Sequence, residues 1–243
     1  MNDSDQPVVA VIDDDEFVRE SLGALLETIS VRVALFKSVE AFLGTNPPVL
    51  PSCIVLDVRL PGASGFELQK QLVAAHVDTP IVFITGHGDI AMSVRAMKAG
   101  AIEFLSKPFR EQELLDAVRQ GIERHRALAA QGRARAQIHE RLARLTDREK
   151  EIMTLLAKGR VSKQIAGQLG VSEVTVRVHR SQIMQKMDAR SLADLVRIAD
   201  RLKADDENPA DPVAEDPYDG LPRKSRTAKH VTGKQKGRGD ITK

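Results

Sequence analysis

The sequence predicts a doubly wound α/β domain with a five-stranded parallel sheet, followed by a small all-α domain. Three observations predict it. Residues 1–120 alternate short apolar runs with segments of helical period; residues 145–203 carry helical periodicity only; and the charge changes sign between the two parts. Residues 1–120 hold 10 Lys and Arg against 17 Asp and Glu, a net −7, while the remaining residues hold 26 against 17, a net +9. Such asymmetry points to two separate jobs and makes nucleic acid a candidate partner of the basic part. The lesser alternative on charge alone is two soluble domains that merely differ.

The strands are expected at Val8–Asp13, Val31–Phe36, Cys53–Val58, Ile81–Thr85 and Ile102–Ser106. Stretches such as Val8-Val9-Ala10-Val11-Ile12 are apolar on both alternating faces, as a strand covered by helices on both sides must be. Helices are expected at Glu16–Ile29, Ser38–Leu43, Gly65–Ala75, Ile90–Ala99 and from Gln112 onward. Five βα units in this span read as a flavodoxin-like doubly wound sheet. The last helix is Arg-rich, has weak points at Gly121 and Gly132, and runs into a linker. The boundaries read as a first domain at 7–125, a helical linker at 126–143, an all-α domain at 144–203 and a charged tail at 204–243. Asp205–Asp219 holds seven acidic residues and no Lys or Arg, and Arg223–Lys243 eight basic and one acidic. Few large apolar residues are left there, so disorder is expected. Added non-specific DNA affinity from the basic part is the alternative to a merely solvated tail.

No apolar run approaches the ~18 residues that cross a bilayer, and the N-terminus lacks the pattern of a secretory signal. A single cysteine, Cys53, rules out an internal disulfide and fits a reducing cytoplasm. Cys53 itself reads as a small core residue.

Ligands of an open parallel sheet collect beyond the carboxyl ends of its strands, where the strand order reverses. Asp13, Asp14 and Asp15 follow the first strand and Asp57 ends the third, so Asp13, Asp14 and Asp57 should converge. Crowded carboxylates repel unless a cation lies between them, and Mg²⁺ commonly joins one or two carboxylates to a phosphate. A carboxylate can also be the nucleophile that becomes an acyl phosphate. Lys107 can supply fixed positive charge and Thr85 a hydroxyl donor. Asp15 reads as a helix N-cap and His87 as a loop residue.

With Val11-Ile12-Asp13-Asp14-Asp15, Leu56-Asp57-Val58-Arg59-Leu60-Pro61-Gly62, Ile84-Thr85-Gly86-His87-Gly88 and Ser106-Lys107-Pro108-Phe109, residues 7–125 resemble the receiver domain of two-component response regulators. The resemblance implies phosphorylation of Asp57 by a sensor histidine kinase. It implies Mg²⁺ held by Asp14, Asp57 and the Arg59 carbonyl, with Asp13 acting mainly through a water. Lys107 would bridge Asp57 and the phosphate, and the Lys107-Pro108 peptide would be cis. Thr85 and Phe104 would be the switch pair, and the face of the fourth helix and fifth strand would dimerise. The domain would catalyse only its own phosphorylation and dephosphorylation. Two other classes remain open. A haloacid-dehalogenase-like phosphatase also uses an Asp nucleophile with Mg²⁺, but needs an Asp two residues later, where Arg59 stands. A phosphate-independent receiver is opposed by the complete acidic set.

In the all-α part, residues 141–203 carry 14 basic and 7 acidic residues. Leu145-Thr146-Asp147-Arg148-Glu149 reads as a capping box with Thr146 as N-cap. Ser162 is expected to cap Lys163–Leu169, Gly170 to close that helix, and Ser172 to open Glu173–Met187. Two short helices joined by a tight turn make a helix-turn-helix. Leu145–Glu149, Gly159, Lys163-Gln164-Ile165-Ala166, Leu169-Gly170-Val171-Ser172, Thr175-Val176-Arg177-Val178-His179, Lys186-Met187 and Ser191-Leu192 resemble the LuxR/FixJ/NarL-type DNA-binding domain. Ser162 stands where that family often has Asn. Arg177, Val178 and Ser181 are expected at base edges, with Arg suited to guanine and Val to a thymine methyl. Lys163, Ser172, Thr175, Arg180 and Lys186 are expected on phosphates. His179 has two readings, DNA contact or a bond within the domain. Val171, Val174 and Ile183 are expected in the core. The two halves together resemble a FixJ-like transcriptional regulator that binds promoter DNA as a phosphorylated homodimer, with RNA polymerase a possible further partner.

Overall fold

The computed structural model describes residues 6–45 and 50–207. Strands β1 (Val8–Ile12), β2 (Arg32–Phe36), β3 (Cys53–Asp57), β4 (Ile81–Thr85) and β5 (Glu103–Ser106) form one parallel sheet in the order β2-β1-β3-β4-β5. Helices α1 (Glu16–Glu27), α2 (Val39–Leu43), α3 (Gly65–Ala74) and α4 (Ile90–Lys98) connect them. The central strands β3 and β4 are buried along their whole length, because one apolar cluster covers each face of the sheet. Phe42, Leu56, Leu68, Leu72 and Phe83 lie in one cluster. Val11, Leu26, Val55, Ile84, Leu114 and Val118 lie in the other.

Helix α1 stops two residues before the sequence predicts, since Ser30 turns the chain with φ 59°. Helix α5 (Glu111–Ala143) runs without a break through Gly121 and Gly132. Its first half packs on β3 and β4, and Ile138 near its end belongs to a third core. That core is built by α6 (Asp147–Ala157), α7 (Ser162–Leu169), α8 (Glu173–Lys186) and α9 (Leu192–Glu207).

The Thr146–Glu149 capping box forms as expected at the start of α6. Gly170 adopts the left-handed conformation (φ 67°) that ends α7, and the Ser172 side chain accepts the Thr175 N–H to open α8. Ser162 is not a cap. The cap position is Val161, which has no capping oxygen; Gln164 reaches back to its N–H instead. Helix α9 continues to Glu207, so residues 204–207 are helical rather than part of a tail. The remainder of that expected tail, 208–243, lies outside the described residues. Among the described residues no helix is long and apolar enough to cross a membrane.

Candidate carboxylate site and nucleic-acid interface

Strand pairing builds the first site. β3 lies between β1 and β4, so Asp57 at the end of β3 sits between the residue following β1 and the end of β4. Asp13, Asp14 and Asp57 bring carboxylate oxygens within 4.8 Å of one another, with Asp13 and Asp57 buried and Asp14 exposed. Asp57 Oδ1 accepts the Arg59 N–H at 2.9 Å, which folds the β3–α3 loop over the site. Gly65 allows the start of α3 to press on this strand end, since a Cβ there would stand 2.5 Å from the Asp57 carbonyl oxygen.

Lys107 arrives from the far edge. Its N–H bonds the Thr85 carbonyl at 2.7 Å, and the Lys107-Pro108 peptide is cis, as the resemblance implied. The ammonium reaches Asp13 Oδ2 at 2.7 Å and Asp57 Oδ2 at 2.9 Å. Burial pushes the Asp13 carboxyl above the usual carboxylate range, even though Lys107 pulls it down. Burial also disfavours the Lys107 charge, but the bonds to Asp13 and Asp57 outweigh it and hold the ammonium above the ordinary lysine range. A cluster of hard carboxylate oxygens is a donor set that fits Mg²⁺, and the half-buried Lys107 ammonium lies beside it.

Thr85 is fully buried, and its Oγ1 accepts the His87 N–H at 3.2 Å. Phe104 is half-buried, with its ring 6.3 Å from that of Phe83. Gly88 lies against both: a Cβ there would come within 2.9 Å of the Phe104 ring and 3.0 Å of the Thr85 methyl. Sequence reasoning placed Gly88 in a motif without giving it a role, and it missed Arg19, whose Nη1 bonds the carbonyls of Asp13 at 2.8 Å and Asp14 at 3.4 Å. Its position four residues after the Asp15 cap was the available signal.

In the second domain, α8 turns Arg177, Val178 and Ser181 outward, while Val176, Ile183 and Met187 are buried. Lys163 and Thr175 are exposed and Arg180 is half-exposed. The Ser172 and Thr175 hydroxyls lie 2.9 Å apart. One expectation changes. Val174 is not core: it is 68% exposed, because the buried stripe of α8 follows the phase of Val176 and Ile183. Lys186 is partly exposed, and its ammonium also bonds the two oxygens of buried Glu149 at 2.8 and 2.7 Å. Val171 is partly buried against the core as expected. His179 is half-buried with Nδ1 unpartnered.

Residues 9–119 match the response regulator receiver domain, and residues 143–199 match the bacterial regulatory proteins of the luxR family. The chain is 47% identical to nodulation protein W of Bradyrhizobium diazoefficiens, over 82% of this chain and 88% of that protein. The chain belongs to the response regulators with a LuxR-type DNA-binding domain. A second relative of this response regulator is the transcriptional regulatory protein FixJ of Azorhizobium caulinodans, 44% identical over 79% of this chain and 90% of FixJ. Among solved structures, the response regulator StyR aligns with TM-score 0.73 and 49% identity, covering 81% of this chain and 99% of StyR. The protein is therefore a transcriptional response regulator, in which a receiver domain is joined by α5 to a DNA-binding domain.

Proposed function

We propose that Asp57 accepts a phosphoryl group from a sensor histidine kinase in the presence of Mg²⁺, and that this promotes dimerisation and promoter binding. The observation that carries the reading is Lys107, which bridges Asp13 and Asp57 at the mouth of a three-carboxylate cluster. An Asp57 carboxylate oxygen attacks phosphorus, the N–P bond of the donor breaks, and its electron pair returns to the donor imidazole. The product is an acyl phosphate. Asp14, Asp57 and the Arg59 carbonyl would hold Mg²⁺, with Asp13 beside them; bound there, the ion neutralises charge on the transferring group. Lys107 neutralises the remaining charge, and the Thr85 hydroxyl donates to a phosphoryl oxygen. That contact draws Thr85 inward, and Phe104, which shares the Gly88 contact, follows it.

Helix α4 suits such a readout. Ala96 is its one fully covered residue, and Ile90, Val94 and Met97 form an exposed apolar stripe at i, i+4 and i+7. This stripe, with β5, is the proposed dimer face. A dimer raises DNA affinity by making the second half-site contact intramolecular. Arg177, Val178 and Ser181 would read bases, Lys163, Ser172, Thr175 and Arg180 would hold phosphates, and RNA polymerase would be a further partner at the promoter.

The test is phosphoryl incorporation from acetyl phosphate with Mg²⁺, read by intact mass, together with DNA affinity before and after. Wild type should incorporate one phosphoryl group and bind DNA more tightly. Asp57→Asn should do neither. Incorporation or an affinity gain in Asp57→Asn would overturn the proposal, as would a wild type that takes up no phosphoryl group.

A further inference from the structure

Val174 stands out on the recognition helix because it does none of the things a valine there would do for the fold. It is in the first turn of α8, it is 68% exposed, and Ser172 rather than Val174 provides the cap. Valine is also a poorer helix former than alanine. At 3.6 residues per turn, Val174 lies about 160° around the helix from the mean direction of the buried Val176, Ile183 and Met187. Val178, 52% exposed, lies on the same outward line one turn later, followed by the exposed Ser181 and Gln185. Arg177 flanks that line, with its side chain mostly exposed and only a long 3.8 Å ion pair to Glu173. The outward face of α8 is thus a short apolar ridge beside a cation.

A helix-turn-helix places the N-terminal residues of its second helix at base edges in the major groove. The apolar group the groove offers there is the C5-methyl of thymine. We infer that Val174 is a sequence-reading residue that packs on a thymine methyl, one helical turn before the methyl or base edge met by Val178. The inference rests on the DNA-binding reading above and deepens it: the operator half-site should contain a thymine that Val174 alone reads.

The test uses the full-length protein, treated with acetyl phosphate and Mg²⁺, to select its preferred duplex from random-sequence DNA. Each thymine of the selected site is then replaced singly by uracil, which removes only the methyl group. Wild type should lose about fourfold in affinity at the Val174 thymine, the loss of roughly one buried methylene-sized contact. Val174→Ala should bind the thymine site about fourfold more weakly than wild type and show no further loss with uracil at that position. It should still respond to uracil elsewhere. Val178→Ala serves as the internal control and should leave the Val174 position responsive. Because Val174 is exposed and alanine favours helix, the variant keeps its fold, and its affinity for unselected DNA should match that of wild type. A selected site without thymine, or a uracil scan identical for wild type and Val174→Ala, would overturn the inference while leaving DNA binding intact. No enrichment of any sequence would overturn both.

Discussion

At the scale of single residues, the decisive groups are cations held by buried carboxylates. Lys107 joins Asp13 and Asp57 across 94 and 50 positions of chain, and Lys186 joins Glu149 across 37. The bond from Lys186 holds the Glu149 carboxyl below the usual glutamate range, aided by bonds from Thr146 and opposed by burial. A depressed carboxyl stabilises the fold above its unfolded pKa, and that contribution is lost as the pH falls through the folded value. Lys186→Met should therefore destabilise the DNA-binding domain by about 1–2 kcal/mol at neutral pH, leaving one carboxylate short of its charged partner. The gap between variant and wild type should shrink as the pH drops below about 4.3, the ordinary glutamate value. Urea unfolding followed by circular dichroism at a series of pH values measures both. A gap that does not change with pH would show that the lost contribution is packing of the lysine stem.

Elements are positioned by what they lack as much as by what they carry. α5 passes β3 at Gly121, where a Cβ would stand 2.7 Å from Cys53 Sγ and 3.4 Å from Pro80 Cβ. Alanine in a helix interior is worth about 0.5–1 kcal/mol over glycine, but overpacking a core costs about 1–3 kcal/mol. Gly121→Ala should then destabilise the receiver domain by about 1–2 kcal/mol. In a Cys53→Ala background the obstructing sulfur is gone, and the same substitution should instead stabilise by about 0.5–1 kcal/mol. Denaturant midpoints of the four proteins in this cycle measure the sign change; equal effects in both backgrounds would remove the sulfur from the explanation. α4 shows the opposite case. It is held at its C-terminal end by Gln69, whose Nε2 bonds the carbonyls of Ala96 at 3.2 Å and Ala99 at 3.4 Å, and by Arg95 stacked 4.6 Å from the centre of the Phe66 ring. Its N-terminal end carries Ile90, 85% exposed. That suits an element whose surface is to be remodelled.

Across the whole molecule, two independent cores share one helix. The receiver cluster that includes α5 ends on it at Ile122, and the DNA-binding core begins on the same helix at Ile138. The far half of α5 is tied to the DNA-binding domain by polar contacts. Arg135 Nε and His139 Nε2 each lie 3.1 Å from Asp205, and Arg141 lies 3.0 Å from Asp188. Separate cores predict separable unfolding. Ile152→Ala, at a fully buried site of the third core, should lower the stability of that domain by about 2–5 kcal/mol and leave the receiver transition in place. Calorimetry on the full chain measures this. A single transition that shifts as one would mean that α5 couples the domains into one cooperative unit.

Much of the fold was legible because its signals are local. Apolar runs marked the strands to within a residue, and capping residues such as Asp15, Thr146 and Ser172 marked helix starts by bonds within one turn. Two local readings failed where competing residues were near. Ser162 looked like a cap, but Gln164 reaches the Val161 N–H and moves the helix start back by one. Val174 looked like core because it is apolar, yet Val176 sets the helix phase. Periodicity over a few residues fits either choice, and only packing on α6 and α7 selects one.

By itself the sequence determined that Asp13, Asp14, Asp57, Thr85 and Lys107 lie at strand ends, because each follows an apolar run long enough to cross the sheet. It likewise determined that the basic second half is a helix-turn-helix, through Gly170 and the caps around it. Tertiary structure alone decided which charges pair. Folding placed buried Glu149 beside Lys186, and α9 brought Asp205, expected within the tail, against Arg135 and His139. The physical reason is that a charge pairs with whatever folding brings within about 4 Å, and that distance is set by the packing of helices far apart in the chain.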